Sequence, residues 1–108
     1  MNYQKVTAIV RSDVIDQVEK RLHDIGVPGI SVSKVKGYGE YADFYTHDWL
    51  VSHARVEIFT DESKSEIIAE AIMESAHGGM AGDGIVAITP VLKLYHIRHR
   101  KAVESEGS

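Results

Sequence analysis

The chain contains no cysteine among its 108 residues, which excludes a disulfide framework, a thiolate metal site and a thiol nucleophile. Long apolar runs are absent too, and the longest fall far short of the ~20 residues that a membrane-spanning helix needs. The residues after Met1 form a mixed polar segment rather than the apolar core of a signal peptide. We therefore expect a cytoplasmic protein that reaches a membrane only through a protein partner.

An excess of positive charge is also missing, because 12 Lys and Arg face 16 Asp and Glu and give a formal net charge of −4. Such a chain has no long-range field to attract nucleic acid or an anionic membrane, and we expect neither as a partner. A chain of this length builds one core and hides roughly 65% of its unfolded surface. This leaves little room for a deep binding site within one subunit and favours a site built by several subunits.

The hydrophobic pattern predicts the order strand, helix, strand, strand, helix, strand. The strand-like segments are residues 3–10, 30–36, 50–60, 85–88 and 91–98, with Pro90 at a bend or an edge position; the helical stripes run over 14–25 and 67–75. Two half-units of this kind form an α+β, ferredoxin-like split βαβ fold (βαββαβ), with a four-stranded antiparallel sheet and both helices on one face. The other face is left uncovered, and several such sheets are expected to pack around an axis.

Two local details are predicted as well. The alternation of the second strand breaks at Val35, and a bulge near Ser33 and Lys34 would restore it. Ser63 and Glu66 have the spacing of a capping box at the start of the second helix.

The segment 77–84 carries four glycines in eight residues between a helix and a strand. Glycine allows positive φ, so that consecutive N–H groups can point into one concavity and cradle a phosphate. The alternative is a helix C-cap followed by a tight Gly-Asp-Gly turn, because the Lys-Ser/Thr pair of a Walker loop is missing.

A basic run closes the last predicted strand. It comprises Lys93, Tyr95, Arg98, His99, Arg100 and Lys101. Arg98 and Arg100 lie two apart, so on a strand they would project to the same side and could bind one polyphosphate. The alternative is a charged strand end that protects a sheet edge.

The predicted loop 39–49 holds half of the eight aromatic residues of the chain: Tyr41, Phe44, Tyr45 and Trp49. Aromatic residues in a loop favour an anchor for a protein partner or a ligand lid, and the alternative is a loop folded back on its own sheet. At its base His47, Asp48 and His53 could approach one another, but their spacing is not that of a zinc site. His53 is expected to face outward with Arg55 and Glu57, opposite the inward set Ala54, Val56 and Ile58.

Three segments together resemble the PII signal-transduction family, over nearly the whole chain. Residues 26–39 resemble its second strand and the Gly-aromatic-Gly entrance of its T-loop, residues 79–84 its B-loop, and residues 97–100 the arginine pair of its C-loop. The resemblance implies a homotrimer with adenine nucleotides (AMP, ADP or ATP) in clefts between subunits. It also implies one PII-like domain over residues 1–100, with 39–49 as a T-loop-like insertion and 101–108 as a polar tail.

The resemblance assigns ligand contacts residue by residue. Ser31 and Gly37 would line the adenine side, with Glu57 on the strand beneath and Tyr38 and Gly39 at the loop entrance; Gly79, Gly82, Asp83 and Gly84 would hold the phosphates, and Arg98 and Arg100 would reach them from the neighbouring subunit.

The chain also departs from the family pattern. Ile85 stands where the family has a phosphate-binding lysine, so AMP or ADP should bind at least as well as ATP. Tyr41 and His53 replace the glutamine and the lysine that serve 2-oxoglutarate, and the T-loop is shorter than usual. Sensing of 2-oxoglutarate is therefore not expected. The resemblance implies a divergent, non-enzymatic regulator of a membrane transporter for bicarbonate, a metal or another solute. The alternative is a CutA-like trimer that binds a divalent metal.

Overall fold

A computed structural model describes residues 2–35, 52–79 and 82–103. Four strands form one sheet in the order β2-β3-β1-β4, and each neighbouring pair is antiparallel. The strands are β1 (Tyr3–Arg11), β2 (Ser31–Val35), β3 (His53–Asp61) and β4 (Gly84–Val91); the helices are α1 (Ile15–Asp24), which follows a 3₁₀ turn over Ser12–Val14, and α2 (Glu62–Ala76). The predicted α+β, ferredoxin-like arrangement is confirmed.

Both helices cover the same face of the sheet, because the alternating apolar residues of β1 and β3 and the stripes of the helices enter one core. Its buried members include Val6, Ala8, Val10, Val18, Leu22, Val56, Ile58, Ile68, Ala71 and Ile72. Burying one such side chain is worth about 1.5–3 kcal/mol, so this face holds most of the stabilising contacts.

The opposite face of the sheet carries no helix in the described part of the chain. Phe59 on β3 is 53% exposed and Ile85 on β4 is 41% exposed. On the same face Glu57 of β3 forms ion pairs with Lys5 at 3.4 Å and Arg55 at 3.7 Å. We call this surface the open face.

Two predicted details are wrong. The register of β2 on β3 is unbroken from Ser31 opposite Glu57 to Val35 opposite His53, so there is no bulge. β2 is an edge strand and is largely exposed, so it tolerates polar side chains on both sides and does not need a bulge to restore the alternation.

The predicted capping box of Ser63 and Glu66 is not the cap of the second helix. The helix is capped by Asp61, which accepts from Ser63 N at 2.9 Å, because β3 continues directly into the helix.

The last strand is shorter than its alternating pattern predicts. β4 runs through Pro90 on the outer edge of the sheet, where proline is tolerated, and stops at Val91. Val91 pairs with Tyr3, the first residue of β1, so the sheet offers no partner beyond it.

The chain then forms a small hairpin of β5 (Tyr95–His96) and β6 (Lys101–Ala102), with a turn over residues 97–100. The expected strand through Arg98 is therefore wrong. Pairing extends past Ala102, because Val103 N donates to Leu94 O at 2.7 Å.

Within residues 2–35, 52–79 and 82–103, no helix is long and apolar enough to cross a membrane.

Candidate functional site

The glycine turn, residues 77–84, connects α2 to β4, and its ends are held by Asp83. The carboxylate oxygen Oδ2 of Asp83 accepts from the backbone N–H groups of Gly78 and Gly79, both at 2.9 Å. Gly79 and Gly82 adopt φ values of 75° and 87°, which favour glycine. The N–H of Gly79, a predicted phosphate donor, is thus already used inside the turn.

Gly84 has its own reason to be glycine. Its φ is 118°, and a Cβ atom added there would lie 1.8 Å from the carbonyl oxygen of Ile9. No side chain fits at that distance, so the turn is pressed against the last residues of β1. This packing role exists whether or not the turn binds a phosphate.

His53 ties the same turn to β3. Its ring lies on the open face with Arg55 and Glu57, yet the residue is only 5% exposed, and its Nε2 is 3.0 Å from the carbonyl oxygen of Gly82. The predicted face of His53 is therefore right, but the prediction of a surface histidine is wrong, because the side chain is buried and bonded to the glycine turn. The hydrogen-bond partner is 29 positions away, so the local alternation carries no signal of it.

Ser31 and Glu57, predicted to lie near an adenine, are direct neighbours across β2 and β3 on the open face. His53 and Glu57 are four residues apart on β3, or ~13 Å at ~3.3 Å per residue. One side of the sheet therefore carries the glycine turn at one end and the Ser31–Glu57 pair about 13 Å along it.

Arg98 and Arg100 lie in the turn of the β5–β6 hairpin, and both are exposed. Arg100 has φ 54°, the one positive φ of a non-glycine residue in the described ranges, and its N–H donates to His96 O at 2.7 Å. A left-handed residue with a Cβ costs about 1–2 kcal/mol. His96 and His99 also meet here, with ring centroids 5.4 Å apart. We call residues 96–101 the basic turn.

The basic turn and the glycine turn lie at opposite ends of the sheet. The eight residues of β4 separate the two turns, and at ~3.3 Å per residue the two ends of this strand lie roughly 23 Å apart. Arg98 instead lines a groove of about 800 Å³ together with Phe59, Asp61 and Lys64, at the other end of β3. Within one chain the structure does not bring the arginines to the glycine turn.

The remaining predicted site residues lie outside the described residues. They are Gly37, Tyr38 and Gly39 of the loop entrance, the aromatic set Tyr41, Phe44, Tyr45 and Trp49, and His47 and Asp48 of the metal alternative. In the part of the chain that is described, no three metal-ligating side chains come together. Of that alternative, only His53 is described, and its Nε2 is bonded to Gly82.

Known proteins resemble this chain over nearly its whole length. The family profile described as "Nitrogen regulatory protein P-II" matches residues 3–101. A nitrogen regulatory protein P-II of Azospirillum brasilense is 33% identical over 103 residues, covering 88% of this chain and 91% of that protein. Nitrogen regulatory protein P-II 1 of Methanothermobacter thermautotrophicus is 34% identical, with 88% and 89% covered. The crystal structure of Arabidopsis thaliana PII bound to citrate superposes with a TM-score of 0.79 at 31% identity, covering 95% of this chain and 90% of that one.

Proposed function

The chain belongs to the nitrogen regulatory protein P-II family, and from that premise we propose that it is a non-enzymatic regulator that binds AMP, ADP or ATP. The nucleotide lies in clefts between the subunits of a homotrimer. Residues 1–100 form the ligand-binding domain, with 39–49 as its output loop and 101–108 as a tail. The protein acts in the cytoplasm on a partner, a membrane transporter for bicarbonate, a metal or another solute.

The observation that carries the proposal is the separation of the glycine turn from the basic turn, roughly 23 Å along β4. Both have groups suited to an anion: backbone N–H donors in the first, and Arg98 and Arg100 in the second. One small ligand can touch both only if they come from different chains. A cleft between two copies of the chain satisfies this requirement.

Exposed apolar surface supports an assembly. Leu92 is 98% and Ile97 is 94% exposed, on either side of the short β5, and Phe59 of the open face lines the groove beside them. Burial of these side chains against neighbouring subunits would remove apolar area from water at about 25 cal/mol per Å². The partner surface that fits best is the open face of another copy.

The adenosine part of the ligand fits the open face. The ~13 Å between His53 and the Ser31–Glu57 pair is comparable with the length of an extended nucleoside diphosphate. Glu57 and Ser31 offer a carboxylate and a hydroxyl to hydrogen-bond with a base or ribose at that end. The phosphates then lie at the glycine turn.

Ile85 determines which nucleotide is preferred. It directly follows Gly84, and its side chain lies on the open face opposite Ile9. An apolar side chain at this position offers no charge to a terminal phosphate, so AMP or ADP binds at least as well as ATP.

A subunit-mixing experiment tests the shared cleft. One chain carries Arg98→Ala with Arg100→Ala, and the other carries Gly82→Val, which a positive φ disfavours. Each variant alone should bind ADP much more weakly than wild type in calorimetry, whereas co-refolded mixtures should regain part of the wild-type binding because some clefts then contain two intact halves. Light scattering should report a trimer.

Two outcomes would refute the proposal: a monomer at micromolar concentration, or mixtures that bind no ADP although wild-type protein does.

A second experiment tests the output loop. Phe44→Ala combined with Trp49→Ala should abolish capture of the transporter from a membrane extract while ADP affinity is retained. Unchanged capture would exclude the loop as the contact surface.

A further inference from the structure

His53 is placed at the junction of three strands and the glycine turn. It is the first residue of β3 and pairs with Arg11 of β1 and Val35 of β2. His53 is buried, whereas Arg55, two residues further along the same face, is exposed. The hydrogen bond to Gly82 thus connects the end of the sheet to a segment 29 residues away.

The chemistry of this bond is fixed by its acceptor. A carbonyl oxygen only accepts, so Nε2 of His53 carries the proton and donates it to Gly82 O at 3.0 Å. Asp83, by contrast, binds N–H groups only four and five residues away, which shapes the turn internally. His53 therefore contributes a long-range tether that the turn cannot supply from its own residues.

The tether acts on one peptide group. In a trans peptide the carbonyl of Gly82 and the N–H of Asp83 point in opposite directions, so fixing the first fixes the second. Gly82 has φ 87° and no Cβ, so its own conformational preference restrains the peptide weakly. The histidine supplies the restraint that glycine lacks.

We propose that His53 is a positioning residue for the phosphate end of the ligand. It holds the Gly82–Asp83 peptide in one orientation. The inference rests on the proposed nucleotide function and adds to it a residue that touches no ligand. His53 prepares the turn before a phosphate arrives, which increases affinity by reducing the ordering cost of binding.

The test compares variants at position 53 by calorimetric titration with ADP. His53→Gln places an amide N–H near the position of Nε2, His53→Asn is too short to reach Gly82, and His53→Phe keeps the ring without a donor. We expect Asn and Phe to weaken ADP binding about tenfold, the scale of one lost buried hydrogen bond, and Gln to restore affinity to within about threefold. His23→Phe, at an exposed histidine of α1, is the matched control and should bind like wild type.

A second ligand separates positioning from a general structural role. Adenosine has no phosphate, so its affinity, measured by NMR titration, should be the same in wild type and in His53→Asn. Equal losses for ADP and adenosine, or an Asn variant with wild-type ADP affinity, would overturn the assignment of His53. If His53→Phe does not fold, as judged by thermal unfolding, the Asn and Gln pair carries the same comparison. Wild-type protein that binds no ADP would refute the proposed function itself, and this inference with it.

Discussion

The glycine turn and the basic turn differ in how the rest of the chain holds them. The glycine turn is fixed by long-range contacts: Gly84 against Ile9, and Gly82 through His53. The basic turn is held by its own hairpin, and its side chains from His96 to Lys101 are exposed. One half of the proposed site is thus preformed within the chain, while the other half has its side chains unburied until a neighbour covers them. Substitutions in the first should change stability, and substitutions in the second should change binding.

The largest effect is expected at Gly84. Gly84→Ala places a Cβ atom on the carbonyl of Ile9 at a φ that alanine disfavours, and we expect the free energy of unfolding to fall by about 3–5 kcal/mol in urea titration. Gly26→Ala is the control, because Gly26 also has positive φ but nothing lies within 4 Å of its Cβ position. It should cost about 1–2 kcal/mol. Equal losses at both positions would contradict the packing argument.

The next effect concerns the basic turn. Arg98→Ala combined with Arg100→Ala should weaken ADP binding by about 3 kcal/mol in calorimetry, because two charged hydrogen bonds to phosphate are lost. The thermal midpoint should stay within experimental error, since both side chains are exposed. Lys20→Ala, which removes an exposed cation on α1, should leave ADP binding intact. Unchanged ADP affinity in the double variant would separate the basic turn from the ligand.

Moving a cation to the glycine turn sharpens the comparison. Ile85→Lys should favour ATP over ADP by about 1–3 kcal/mol relative to wild type, as measured by paired titrations. Ala87→Lys, on the same face and two residues further along β4, is the matched control and should shift the ratio less. A wild-type protein that prefers ATP over ADP would contradict the role given to Ile85.

The smallest expected effect is a gain in stability at Arg100. Arg100→Gly relieves the left-handed backbone and should raise the free energy of unfolding by about 0.5 kcal/mol after the entropy cost of glycine. The same variant should bind ADP more weakly. Arg98→Gly lacks this relief, because Arg98 is not at positive φ, and should lower stability instead. Losses of stability in both variants would show that the backbone at Arg100 is not strained.

The sequence predicted the sheet and helices because their order depends on apolar periodicity that each segment carries by itself. Val6, Ala8 and Val10 alternate on β1, and the stripes of both helices match the same core. The run from Lys93 to Arg98 imitates such a pattern, but β1 begins at Tyr3, so no strand remains to pair with it. Pairing is a property of two segments, and one segment cannot reveal that its partner has ended.

The same reason explains what was missed at the site. The hydrogen bond of His53 depends on where Gly82 lies in the fold, and the cap at Asp61 depends on how far β3 extends. The family resemblance assigns Gly84 to a phosphate, whereas its contact with Ile9 gives it a packing role that composition does not reveal. The neighbouring positions of Ser31 and Glu57 follow from an unbroken register, although the sequence favoured a bulge there.

The connections between strands and helices have unequal length. β3 ends at Asp61 and α2 begins at Glu62, and β1 is followed at once by the 3₁₀ turn that leads into α1. After each helix, in contrast, several residues separate its end from the next strand: 25–30 after α1 and 77–83 after α2. An added residue at Asp61 would rotate the whole of α2 by about 100° and turn its apolar stripe out of the core. Among the connections between strands and helices, insertions should therefore be tolerated after α1 and α2 and not before them.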